Sequence, residues 1–139
     1  MKCKIKLLTD TAQIPYKNYE TDNCYDVCAD ENKIFFLWQT KAVKTGVAIQ
    51  PEKGYGFVVR ERSGFSLKGF AVLGGEIDNK YIGGLNVILN CGSRLFYRVK
   101  KGDRIAQIRS VKVESVEWDM VEELEETERG VNGFGSTGR

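Results

Sequence analysis

No stretch of ten or more residues in this 139-residue chain holds a helical period, except a short one around Met120 to Glu126. Apolar residues come instead in brief runs, divided by glycine, proline and charged clusters. Short apolar runs bounded by turn chemistry are strands, and many of them in one chain mean an all-β fold, whether sandwich, jelly roll or barrel. At this length one domain buries a core without covalent staples.

In chain order, Lys2 to Leu8 alternates basic and apolar residues, the period of a half-buried strand whose lysines discourage edge pairing. Thr9 to Asn23 is polar, contains Pro15, and reads as a loop. Cys24 to Ala29 makes a short strand with Asp26 on the face opposite Tyr25 and Val27; a carboxylate there is most simply solvated or capping. Ile34-Phe35-Phe36-Leu37-Trp38 is continuously apolar, as a strand buried on both faces would be. Val43 to Ile49 and Tyr55 to Val59 flank a Pro51–Gly54 turn. Arg94 to Val99, Arg104 to Ile108 and Val111 to Trp118 complete the expected strands.

Two places carry chemistry. Arg60-Glu61-Arg62-Ser63-Gly64 breaks a strand with an arginine, a hydroxyl and free backbone N–H groups, which suit an anion as well as an ordinary loop. Glycine pairs at 74–75 and 83–84 bracket Asp78-Asn79-Lys80, with strand-like Ile77 before and Leu85 to Leu89 after, so the stretch reads as a β-hairpin. Glycine inside a strand marks close approach of a ligand or another backbone. Here a carboxylate, Asp78, and an aromatic ring, Tyr81, stand between two such places, as they would at the mouth of a slot for a flat ligand or, more simply, on a surface turn with bulges.

The composition excludes several classes. With 21 basic and 19 acidic residues, the net charge of +2 gives no case for wholesale nucleic-acid or membrane binding. The absence of histidine removes Ser–His and Cys–His nucleophilic pairs and histidine-ligated metals. Cys3, Cys24, Cys28 and Cys91 lack zinc spacing and are expected as reduced thiols in a cytoplasmic protein, which shows no apolar leader or spanning run.

Residues 1–121 are expected to form the core, and 122–139 an acidic linker followed by an arm. From Arg129 onward the chain has four glycines in eleven residues, two arginines, two hydroxyls, one phenylalanine and no acid. That is an inventory for clamping a polyphosphate while a ring covers a base.

Five blocks in order resemble the homotrimeric dUTPase family. They are Tyr25-Asp26-Val27; Arg62-Ser63-Gly64; Gly75-Glu76-Ile77-Asp78 with Tyr81 and Gly83; Gly102 to Gln107; and Arg129-Gly130 with Gly133 to Gly138. The resemblance implies a β jelly roll, assembled as a homotrimer with active sites at subunit interfaces. It implies hydrolysis of dUTP to dUMP and pyrophosphate, which limits uracil in DNA and supplies dUMP for dTMP synthesis. Asp78 would be the base that activates water against the α-phosphorus. Tyr81 would lie under the deoxyribose, and the stretch from Gly75, Glu76 and Ile77 to Asn86 would read uracil. Arg62, Ser63, Gly64 and Gln107 would hold the phosphates. Asp26 would meet, through water, a Mg²⁺ carried by the triphosphate. Arg129, Gly135, Ser136 and Thr137 would close over the γ-phosphate with Phe134 on the base.

Departures from the family pattern are Asn23-Cys24 before Tyr25, Glu61 before Arg62, Lys80 and Ile82 around Tyr81, and Asn132 in the tail. A dCTP deaminase shares the fold but lacks such a tail. A dUTPase-like binder without turnover, or an enzyme that also docks on a regulatory protein as some phage relatives do, fits the same blocks. If the source is viral, the expected compartment is the host cytoplasm or nucleus.

Overall fold

The computed structural model describes residues 1–131. Ten strands and one helical turn follow one another as β1 (Cys3–Leu7), β2 (Tyr25–Cys28), β3 (Lys33–Phe36), β4 (Thr40–Pro51), β5 (Tyr55–Arg60), α1 (Ser63–Ser66), β6 (Phe70–Leu73), β7 (Glu76–Ile77), β8 (Gly84–Cys91), β9 (Phe96–Val99) and β10 (Arg104–Lys112). One sheet has the order β1-β4-β8-β6 and a second β2-β10-β5-β7, while β3 and β9 pair separately. Every pairing is antiparallel. The expected all-β jelly-roll class is what the chain forms.

The core lies between the sheets. Strand alternation sends Val43, Val47 and Ile49 of β4, Val87 and Leu89 of β8, Val59 of β5 and Ile105 and Ile108 of β10 into one cluster. Full burial of each such side chain contributes roughly 1.5–3 kcal/mol of transfer free energy. Phe35, Phe65, Phe70 and Tyr97 close one end, with ring centroids 4.7–5.8 Å apart. Cys28 and Cys91 are buried free thiols, whereas Cys3 is exposed. Burial, and then the Asp26 charge, pushes the Cys28 thiol up.

Several expectations change. β1 is exposed at every position, not half-buried, because it edges its sheet and none of the described residues covers it. In the apolar run 34–38 only Phe35 is buried; Ile34, Phe36 and Trp38 face solvent, since the two-stranded β3–β9 pair covers the core with one face alone. The strand expected over Val111 to Trp118 ends at Lys112, and residues 113–131 hold no strand or helix, including the stretch around Met120 to Glu126. Val116, Trp118, Met120 and Leu124 stand exposed there, so no local hydrophobic burial supports a helix.

The stretch read as a hairpin is a crossing between sheets. β6 pairs with β8 in the first sheet, and the connection swings to the second sheet, where Ile77 and Glu76 of β7 pair with Phe57 and Val58 of β5, before returning. Glycine makes the crossing feasible. Gly74 has φ +59, and a Cβ on Gly75 would fall 2.5 Å from the Val59 carbonyl oxygen, while Val59 N donates to Gly75 O at 2.7 Å. Close backbone approach is real here, but the partner is β5.

Candidate active site

A polar cleft forms where β2, β10 and the end of β5 meet. Along β2, Val27 points into the core, which turns Asp26 to the other side of the sheet. Asp26 is not solvated there. Arg62 Nε donates to its Oδ1 at 2.7 Å, and Asn18 Nδ2 and Arg104 Nη1 donate to its Oδ2 at 2.9 and 3.2 Å. Asn18 also accepts from Arg104 Nη1 at 3.1 Å, so a loop amide joins both members of an ion pair. A bridge between Tyr16 and Asp26 holds that loop against β2.

Two guanidinium groups, of Arg62 and Arg104, meet the Asp26 carboxylate, and the Asp22 carboxylate on the cleft wall balances their charge. Ser63 sits at the start of α1, immediately after Arg62, and lines the cleft with Asn18, Asp22, Cys24 and Gln107. Gln107 is aimed by its own bond, with Nε2 donating to the Glu61 carbonyl at 2.7 Å. Glu61 in turn accepts from the Val72 N–H at 3.1 Å, which ties the phosphate-like loop to β6. Fixed N–H donors and two guanidiniums suit a polyanion.

A second cleft opens along the crossing segment. Val59, Leu85 and Ile88 form an apolar floor, and Glu76, Ile77, Asp78, Tyr81 and Asn86 line its sides. The Asp78 side chain is exposed and takes part in no hydrogen bond or ion pair among the described residues, as a carboxylate kept available would be. Its carbonyl receives the Tyr81 N–H at 3.0 Å, closing the turn that sets ring and carboxylate side by side. Tyr81 is about half exposed, donates to Gly84 O at 3.1 Å and lies close over Gly83, where a Cβ would meet its hydroxyl at 2.5 Å. Asn86 Nδ2 donates to the same Gly84 carbonyl at 3.2 Å. An apolar floor with a backbone edge and one ring suits a flat heterocycle on a small sugar.

The clefts share no lining residue. The sequence-expected residues thus fall into two groups: Asp26, Arg62, Ser63 and Gln107 in one, Glu76, Ile77, Asp78, Tyr81 and Asn86 in the other. Gly64 stands in open space on α1, and Gly75 lies beside Val59. Arg129 joins neither lining, and Phe134, Gly135, Ser136 and Thr137 lie outside the described residues. Asn18 and the anchoring role of Arg104 were not foreseen. Arg104 sits inside a quoted block, but nothing local marks an asparagine in a polar loop.

An all-β chain with an anion-holding cleft and a separate slot for a flat ring has the parts of a nucleotide-processing enzyme. The dUTPase family model matches residues 10–138. The deoxyuridine 5'-triphosphate nucleotidohydrolases of Zymomonas mobilis and Nautilia profundicola are each 40% identical; the matches cover 99% of this chain and 98% of the first protein, and all of this chain and of the second. That of Paramecium bursaria Chlorella virus 1 is 38% identical over 96% of each. Among solved structures, the dUTPase of Staphylococcus bacteriophage 80alpha with dUpNHpp aligns at a TM-score of 0.92, with 30% identity over 99% of both chains. A dUTPase from phage phi11 of S. aureus, described with a structural Mg(II) ion, aligns at 0.83 with 25% identity over 91% of this chain and all of that one. The chain belongs to the dUTPase family. It is a dUTP diphosphatase, and its reaction is the hydrolysis of dUTP.

Proposed function

We propose that the reaction runs in composite sites at the junctions of a homotrimer, the polar cleft of one chain facing the nucleoside cleft of another. The observation that carries this is the separation of the clefts: among the described residues Asp78 lines one and Arg62 the other, with no lining residue in common. An uncovered β1 and the segment after β10, with Trp118 and Met120 exposed at 87% and 97%, supply apolar surface for subunit contact.

In this reading uracil and deoxyribose occupy the slot from Gly75 to Asn86, with Tyr81 beneath the sugar. Arg62, Ser63, Gly64 and Gln107 hold the phosphates. Asp78 takes a proton from water as its oxygen bonds to the α-phosphorus; the bond from that phosphorus to the bridging oxygen breaks, and pyrophosphate leaves with the electron pair. Arg129, Gly135, Ser136, Thr137 and Phe134 close over the bound nucleotide, and residues 122–139 act as linker and arm to the core of 1–121.

The residues present fit an ion that arrives with its substrate. Among the described residues no three acidic or cysteine side chains converge on a point, so there is no ready cage. Asp26 has three donors on its two oxygens, leaving acceptor capacity on Oδ1 for a metal-bound water. Bound on the triphosphate, Mg²⁺ would neutralise phosphate charge.

The decisive experiment mixes two variants. Asp78→Asn and Arg62→Ala should each lose roughly a thousandfold in kcat/KM for dUTP. Co-refolded in equal amounts, they should recover about a quarter of wild-type pyrophosphate release, because random assembly pairs an intact Asp78 with an intact Arg62 at that frequency. No recovery would place the whole site within one chain. Ammonia release from dCTP would instead favour deaminase chemistry.

A further inference from the structure

Trp38 stands where a tryptophan has no local reason to be. The turn Phe36–Gln39 is closed by Gln39 N donating to Phe36 O at 3.1 Å, and Trp38 within it has φ 66. It is the one non-glycine residue with positive φ among the described residues, in a region that strains an L-residue. The turn is pinned through backbone groups: Trp38 N donates to Cys91 O at 2.7 Å and Cys91 N to Gln39 O at 3.0 Å. Glycine would make the same bonds without strain. Nor does the core require the indole, which is 72% exposed.

Around it lies a continuous apolar face. Phe36 and Phe96 are register partners across β3 and β9, with ring centroids 5.8 Å apart; Ile34 extends the patch along β3, and Leu95 immediately precedes β9. All four are exposed. None of these residues lines either cleft. An apolar patch of this kind, held in place at a cost in backbone strain, marks a contact surface.

Charge identifies what it contacts. Residues 32–44 hold three lysines and residues 92–101 four Lys or Arg, with no Asp or Glu in either, although the chain as a whole is nearly balanced. Lys33 and Lys101 are paired with Glu31 and Asp30; of the five others, Arg98 is the register partner of Ile34, and Arg94, beside Leu95, is held by the Lys68 carbonyl. Nucleic acid would ask for free aromatic faces. Here Phe36 and Phe96 pack on each other at 59°, and the remaining members besides Trp38 are aliphatic.

We propose that the outer face of the β3–β9 pair, centred on Trp38, docks an acidic polypeptide segment of another protein through aliphatic or aromatic anchors. This surface is independent of the composite-site reading. Trp38 supplies the large rigid contact and Arg98 the flanking charge, the residue types that dominate binding energy at protein interfaces.

The test is a random-peptide display selection on the wild-type protein, counter-selected on Trp38→Gly, followed by affinity measurement with the synthesised peptides. The expected consensus places Asp or Glu on either side of Leu, Phe or Trp. Binding should weaken at least tenfold in Trp38→Gly and in Arg98→Glu, and should fall with added salt. Trp38→Gly should keep full dUTP turnover and an unchanged or higher Tm, since it relieves the turn. No enrichment, or a consensus without acids, would overturn the proposal. So would a dT oligonucleotide whose binding depends on Trp38. A fall in assembly mass of Trp38→Gly by light scattering would reassign the face to a contact between copies of this chain.

Discussion

The two clefts are built by opposite means. The polar one is made of side chains that hold one another: a carboxylate, two guanidiniums and an amide, aimed before any substrate arrives. The nucleoside one is made of backbone, a chain that crosses between sheets because Gly75 lets it pass against Val59. The first derives its order from electrostatics and the second from sterics, so they should fail differently.

Asp26→Ala should have the largest effect, because it leaves two cations facing each other. Arg104 is 40% exposed and partly screened, so the expected loss is about 3 kcal/mol of stability by denaturant titration, together with loss of pyrophosphate inhibition. Gly75→Ala acts on the other side alone. Its Cβ has only backbone to displace, so kcat/KM for dUTP should drop about a hundredfold while pyrophosphate inhibition survives. If pyrophosphate binding fell equally, the clefts would not be independent.

Asp30→Asn addresses the loop that carries Asn18. Hydrogen bonds from Thr11 and Thr9, with Lys101 beside them, hold the Asp30 carboxyl below the usual carboxylate range. A depressed pKa contributes stability above the unfolded value near 4 and loses it as pH falls through the folded value. The variant should therefore be less stable by about 1–3 kcal/mol at neutral pH, and the gap in Tm should close below about pH 4. A gap independent of pH would mean that packing, not charge, holds the loop. Asn18→Ala should cost least, about 1 kcal/mol, read as a severalfold rise in KM with kcat nearly unchanged.

How much of this was legible differs along the chain. Asp26 was singled out, but a solvated carboxylate was the simpler reading, because its three donors come from positions 18, 62 and 104 and no local pattern reveals them. The glycines at 74–75 were read as a place where a ligand or another backbone comes close, and the backbone is that of β5, in a stretch taken to be a hairpin. Pairing is decided by which edge is free, and β5 offered one. The run 34–38 misled for a related reason. Continuous apolarity means burial on both faces only when something covers both, and β3–β9 has a single neighbour.

From sequence alone came the short-strand architecture, the absence of histidine chemistry and the five blocks that place the chain in its family, since periodicity, residue chemistry and spacing are local properties. Which side chains meet was settled only in three dimensions. Contacts such as Asn18 with Arg104, the sheet-to-sheet crossing at Gly75 and the bare face around Trp38 depend on which strand edges and faces remain unoccupied once the core has closed, and no segment carries that information by itself.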